Sequence, residues 1–304
     1  MNFQIQGVLP VIHTPFHDDD TIDQETLQRE VDWIFAAGAN GLCAAMVSEV
    51  LRLSPVERME LTENLVQMAA GRGPVITSVG AETTRQALEY ARHAEAVGCR
   101  AVMAIPPLTT SLSESALWQY FAQLAEAIDL PLIVQDASSY VGKPISSAFF
   151  ARMTEEFGAE KILFKPEASP IGPQLSDLRD LTHGKAQIFD GSGGVLLVDC
   201  YRRGIRGTMP GVDLLDGIVA LWRALEQGDH ESIYRIYFPI CAIVALQLQA
   251  GLDGLLEIEK YILKKRGIFP STRRRGPLSW ELDAETAAEV DRLFEYLQSA
   301  CAAA

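Results

Sequence analysis

The chemistry most legible in this chain belongs to a lysine. Lys165 closes the short apolar run Lys161-Ile162-Leu163-Phe164 and is followed by Pro166 and Glu167. A lysine at the end of a buried strand loses hydration, which disfavours its ammonium form. A neutral amine attacks a ketone to give a carbinolamine and then an imine. An ion pair with Glu167 or another acid accounts for the same lysine equally well. Other apolar runs also end in polar residues: His13-Thr14, Ser48-Glu49, Ser78, Gln135-Asp136, Asp190 with Ser192, and Thr208. Five histidines form no H-E-x-x-H pair, and Cys43, Cys99, Cys200, Cys241 and Cys301 form no C-x-x-C, so no metal site is expected. The absence of a Walker A or dinucleotide fingerprint implies no nucleotide cofactor.

The elements that carry these residues alternate. Short apolar runs at 8–13, 41–46, 75–79, 101–105, 132–136, 162–165, 187–189 and 207–209 read as strands. Segments of helical period lie between them, at 26–37, 56–70, 85–97, 116–128 and 147–157. Nearly continuous apolar strands belong to parallel sheets covered on both faces. Eight alternations predict a (β/α)₈ barrel, in which functional residues sit at the C-terminal ends of the strands. Ser54-Pro55-Val56-Glu57 reads as a capping box, and Gly38, Gly71 and Gly98 read as helix ends. Beyond the eighth strand only helices are expected, at 214–227, 231–248, 255–265 and 284–300. The division expected is a barrel over 1–228 and a helical extension over 229–304, packed on the barrel.

Composition narrows the function. The 304 residues are 48% hydrophobic and 22% charged, with a net charge of −14. Such a charge repels nucleic acid and anionic membranes, leaving a small molecule as the expected ligand. The basic run Arg273-Arg274-Arg275 is expected in a solvated loop or a subunit contact. The stretch 236–248 is too short for a membrane span. No basic segment leads into an apolar one at the N-terminus, and free thiols suit a reducing compartment, so a cytoplasmic location is expected.

Several segments, in order, resemble the dihydrodipicolinate synthase/N-acetylneuraminate lyase family. Thr14-Pro15-Phe16 with Thr21-Ile22-Asp23 resembles its opening T-P-F…I-D, and Gly41-Leu42 through Ser48-Glu49 its G-T-T-G-E region. Gly71-Arg72-Gly73-Pro74-Val75-Ile76 and Gly204 through Gly207-Thr208-Met209 match two further segments, and Lys165 falls at the Schiff-base lysine. The resemblance implies a class I, imine-forming enzyme on a 2-keto acid, often a homo-oligomer and commonly a tetramer. The departures are specific. Met46 and Val47 replace two hydroxyl residues, Gln135-Asp136-Ala137-Ser138 replaces the segment with the proton-shuttling tyrosine, and Tyr140 replaces an arginine. The tyrosine that a neighbouring subunit supplies falls in Ile105-Pro106-Pro107-Leu108.

These departures resemble one subgroup, the L-2-keto-3-deoxyarabonate dehydratases, at Val102-Met103-Ala104-Ile105-Pro106-Pro107, at Val134-Gln135-Asp136-Ala137 and at Phe164-Lys165. Dehydration of a 2-keto-3-deoxy sugar acid is therefore expected. A retro-aldol lyase using the same imine and a non-catalytic keto-acid-binding barrel are the alternatives. Proton transfer falls to Glu49, Gln135, Asp136, Glu167 or a water. Glu49 and Asp136 read equally as residues that only fix loops. Val47 and Ser48 are expected to hold the substrate carboxylate through backbone N–H groups, the Ser48 hydroxyl adding to them or serving its own turn. Gly191, Ser192 and Met209 complete the expected contacts. His13 is expected to face the core.

Overall fold

The computed structural model describes residues 4–138 and 142–303. Tyr140 lies outside them. Eight parallel strands alternate with helices: β1 (Gly7–Val8), α1 (Gln24–Ala36), β2 (Leu42–Ala44), α2 (Pro55–Ala69), β3 (Val75–Ser78), α3 (Thr84–Val97), β4 (Ala101–Ala104), α4 (Glu114–Ala127), β5 (Leu132–Asp136), α5 (Ser147–Phe157), β6 (Ile162–Pro166), α6 (Ile171–Leu181), β7 (Gln187–Asp190), α7 (Leu197–Arg202), β8 (Gly207–Thr208) and α8 (Leu215–Gln227). Each strand pairs with its sequence neighbours, and β1 pairs with β8. The ring closes just past β1, where Val11 bridges to Cys43 on one side and Gly211 on the other. The first strand is shorter than its apolar run because Pro10 has no N–H to extend the ladder; the Pro10 carbonyl still accepts from Cys43 at 2.8 Å.

Local chemistry accounts for most helix starts. Ser54 and Glu57 form the expected capping box, and Asp23, Thr83, Ser113 and Ser146 each accept from the first turn of the next helix. No side chain caps α6, which begins at Ile171-Gly172-Pro173, or the six-residue α7. Neither carries a start signal, and neither is among the helices read from sequence. At the end of α2 the left-handed residue is Ala70, with Gly71 also at positive φ.

The alternation of side chains along parallel strands sorts the core in two. One set, including Leu9, Val11, Cys43, Ile76, Met103, Ile133, Leu163, Phe189 and Met209, fills the barrel interior. The larger set packs strands against the surrounding helices. A residue two places beyond an interior one also points inward. Ile133 therefore sets the direction of Gln135, and Leu163 that of Lys165.

Three further helices follow: α9 (His230–Leu248), α10 (Gly251–Lys265) and α11 (Ala284–Ala302). The first of these has 19 residues and a mean hydropathy of 1.2, and it packs against α8, α10 and α11. The connection after α10 corrects the expectation for the arginine run. Arg274 is buried and pairs with Glu257 at 2.7 Å, while its guanidinium donates to the Asp253 and Trp280 carbonyls. Arg275 pairs with Glu57 at the start of α2, and its N–H donates to Glu49. The run is a clasp between the C-terminal helices and the barrel mouth, where acidic partners outweigh solvation.

Candidate active site

Gln135 and Lys165 are register partners across the β5–β6 ladder. Both are nearly inaccessible, at 3% and 5% exposure. The Lys165 ammonium nitrogen lies 3.4 Å from Glu167 Oε1, and Gln135 Nε2 donates to Glu167 Oε2 at 2.6 Å. One carboxyl thus joins the amine and the amide. Burial raises the Glu167 carboxyl above the usual carboxylate range, although Lys165 and Gln135 pull it down. A carboxyl so placed both gives and takes a proton near neutrality. Gln135 Oε1 is buried with no hydrogen-bond partner among the described residues.

These three residues line one cavity with Val11, Ala45, Met46, Val47, Gly191, Gly193, Met209, Gly211, Leu252, Leu255 and Glu259. Gly191 is required by space. A Cβ there would overlap Glu167 Oε1 and stand 2.5 Å from Lys165 Cε. An adjoining space of about 600 Å³ shares Glu167 and Gly191 with this cavity and adds Ser192, Ser169 and Asp199. Ser192 Oγ accepts from Leu196 N–H at 3.0 Å, and its own N–H donates to Asp190.

Other expected residues are held elsewhere. Glu49, in the left-handed region at φ 55°, accepts from Lys260 Nζ at 2.6 Å and from Arg275 N–H at 3.0 Å. It pins the loop after β2 to α10 and does not line the cavity. Asp136 accepts from the N–H groups of Ser138 and Ile145, at 2.9 and 2.6 Å, and so fixes the loop after β5. Ser48 spends its hydroxyl on the Ile12 carbonyl and the Ala45 N–H, and its own N–H on the Ala45 carbonyl. Of the pair Val47 and Ser48, only Val47 faces the cavity. The second buried lysine, Lys260, already donates to Glu49, the Thr14 carbonyl and the Arg273 carbonyl. Lys165 has no such set of acceptors, which leaves it the better nucleophile.

Sequence reading missed the far wall, built by Gly211, Leu252, Leu255 and Glu259. Glu259 arrives from α10, and no motif signals its approach. His13 is buried as expected, but it is bonded to two carboxylates: Nε2 to Glu259 at 2.7 Å and Nδ1 to Glu30 at 3.3 Å. Among the described residues, no group of three His, Cys, Asp or Glu side chains is arranged to hold a metal ion.

A parallel barrel that presents one buried amine to a small polar cavity is built for carbonyl chemistry. Fold and site define the class as lyases of the (β/α)₈ type with a lysine at the barrel mouth. Residues 4–294 match the dihydrodipicolinate synthetase family. The chain is 30% identical to an L-2-keto-3-deoxyarabonate dehydratase of Azospirillum brasilense over 290 residues, 94% of this chain and 92% of that protein. It is 34% identical to a 4-hydroxy-tetrahydrodipicolinate synthase of Methanopyrus kandleri over 159 residues, 52% of this chain and 53% of that one. A dihydrodipicolinate synthase structure from Rhodopseudomonas palustris superposes with a TM-score of 0.85 at 26% identity, covering 96% of this chain and 97% of that one. A prophage protein of the same family from E. coli K12, solved with pyruvate, superposes with a TM-score of 0.88 at 21% identity, covering 97% and 99%. The chain belongs to the dihydrodipicolinate synthetase family and is a Schiff-base lyase.

Proposed function

We propose that this enzyme dehydrates a 2-keto-3-deoxy sugar acid, L-2-keto-3-deoxyarabonate being the first candidate, through an imine on Lys165. The observation that carries the proposal is the sharing of the Glu167 carboxyl between the Lys165 amine and the Gln135 amide. Glu167 takes a proton from the attacking amine and returns it as the carbinolamine loses water. The resulting iminium acidifies the C3 hydrogens, and Glu167, on the same side, removes one to give an enamine. The enamine electron pair expels the C4 hydroxyl, and hydrolysis frees Lys165. Gln135 replaces the family tyrosine in a different role. Its N–H₂ holds Glu167 in place, and its Oε1 is free to accept from a substrate hydroxyl.

Binding follows from the same walls. Val47 offers its backbone to the substrate carboxylate where relatives use hydroxyl side chains. Met209 supplies apolar contact, while Gly191 and Ser192 open to the adjoining space for the hydroxylated end. The organisation into a barrel over 1–228 and an extension over 229–304, a cytoplasmic location and a homo-oligomer, tetrameric in the family's common form, belong to the same proposal. The similarity to the Azospirillum brasilense dehydratase over 94% of the chain supports this substrate class. Incubation with 2-keto-3-deoxyarabonate and product analysis tests it. A keto acid with all five carbons retained is expected. Release of pyruvate would instead make the enzyme a retro-aldol lyase, and saturable binding without turnover would make it a keto-acid-binding barrel.

A further inference from the structure

The wall opposite Glu167 carries a second carboxyl. Glu259 lines the Lys165 cavity, although it comes from α10 and not from a barrel strand. Its Oε2 is fixed by His13, itself tied to Glu30. Its Oε1 lies over Gly211, where a Cβ would overlap it and approach Asp213 Oδ1 to 2.9 Å. Asp213 is anchored behind it by Gln247 Nε2 at 2.7 Å. Gly191 and Gly211 thus clear the space in front of two separate carboxyls, one on each side of the cavity. The unpartnered Gln135 Oε1 marks the same cavity as a place for a polar ligand.

We propose that Glu259 is the acid of the dehydration: it protonates the hydroxyl that leaves C4 of the Lys165-bound substrate. The proposal rests on the imine reading and adds a residue to it. An elimination needs a base at C3 and an acid at the departing oxygen, and Glu167 cannot stand at both at once. As the C4–O bond breaks, the Glu259 proton passes to that oxygen, and water departs. The enamine pair forms the C3–C4 double bond and restores the iminium at Lys165. Asp213 then returns a proton to Glu259. Burial and the neighbouring Glu259 charge raise Asp213 to about 7, so it still holds a proton at neutral pH. His13 holds Glu259 Oε2 and leaves Oε1 to the substrate.

The test uses the Glu259→Gln variant of the full chain and three readouts. Borohydride trapping of pyruvate on Lys165 reports folding and imine formation. Water elimination from 2-keto-3-deoxyarabonate reports the acid. Elimination from its 4-fluoro analogue reports the same step with a leaving group that needs no proton. We expect trapping equal to wild type, dehydration lowered at least 100-fold, and fluoride release within about fivefold of wild type. Dehydration at the wild-type rate with trapping intact would overturn the assignment alone. Equal loss on both substrates, or loss of trapping, would also overturn it, since Glu259 would then serve only the architecture of the mouth. Wild-type protein that traps no adduct would overturn the imine reading and this assignment with it.

Discussion

Gly191 sits so close to Lys165 that no side chain fits between them. A Cβ at this position would stand 2.5 Å from Lys165 Cε and overlap the Glu167 carboxyl. The end of β7 therefore sets the room in which an imine forms on β6. Gly191→Ala is expected to displace the amine or the carboxyl. Imine formation should fall at least tenfold, and stability should fall by about 1–3 kcal/mol, the usual cost of overpacking. Adduct yield and a urea midpoint measure the two effects. Unchanged adduct yield would show that the lysine has another place to go.

Glu167 carries both proton transfers at C2 and C3. Glu167→Gln keeps the size of the side chain and removes its proton traffic. Turnover is expected to drop about 100- to 10,000-fold, with the fold intact by circular dichroism. Gln135→Leu keeps the carboxyl but frees it from its amide. A smaller loss is expected there, with a shifted pH–rate profile as its signature. Equal turnover in Glu167→Gln and wild type would remove Glu167 from the chemistry.

Glu49 and Lys260 form a fully buried pair 2.6 Å apart, braced by Arg275. Breaking such a pair from one side leaves an uncompensated charge and costs about 3–5 kcal/mol. Lys260→Met is expected to lower the urea midpoint accordingly, and Glu49→Leu added to it should recover much of the loss. Lys165 trapping should persist in the double variant. A double variant that is stable but traps no adduct would return Glu49 to the chemistry.

His13 makes stability depend on alkaline pH. Burial disfavours the charged ring, but Glu259 and Glu30 outweigh it and raise His13 to about 10. The unfolded ring titrates near 6.5. The folded state thus holds a proton that the unfolded state has released. The stabilisation is complete below about pH 6.5 and is lost as pH rises through about 10. The urea midpoint of the wild type should fall across that window. His13→Gln should be less stable at pH 6.5 and show a flatter slope. An identical slope in both proteins would contradict this account.

The barrel was legible because each strand is a nearly continuous apolar run with a polar end. The paired endings were less so. Gln135 and Asp136 adjoin, as do Ser48 and Glu49, but alternation lets a strand send only one of two neighbours inward. Ile133 and Leu163 fix which one: Gln135 and Lys165 enter the barrel, and Asp136 turns out to tie its loop. Beyond β2 the chain tightens into a turn at Met46–Ser48, where strand alternation no longer applies. Glu259 could not be read at all, because its place depends on how α10 lies across the barrel mouth. The arginine run misled for the same reason, its acidic partners Glu57 and Glu257 being remote from it in sequence or hidden on α10.

The account stands on Lys165 as the covalent residue. The most direct measurement is borohydride reduction in the presence of pyruvate and of 2-keto-3-deoxyarabonate, followed by intact and peptide mass spectrometry. The account predicts a reduced adduct on the peptide containing Lys165, absent from Lys165→Ala, with Lys260 unmodified. Folded wild-type protein that carries no adduct from either compound, or carries it on another lysine, would contradict it.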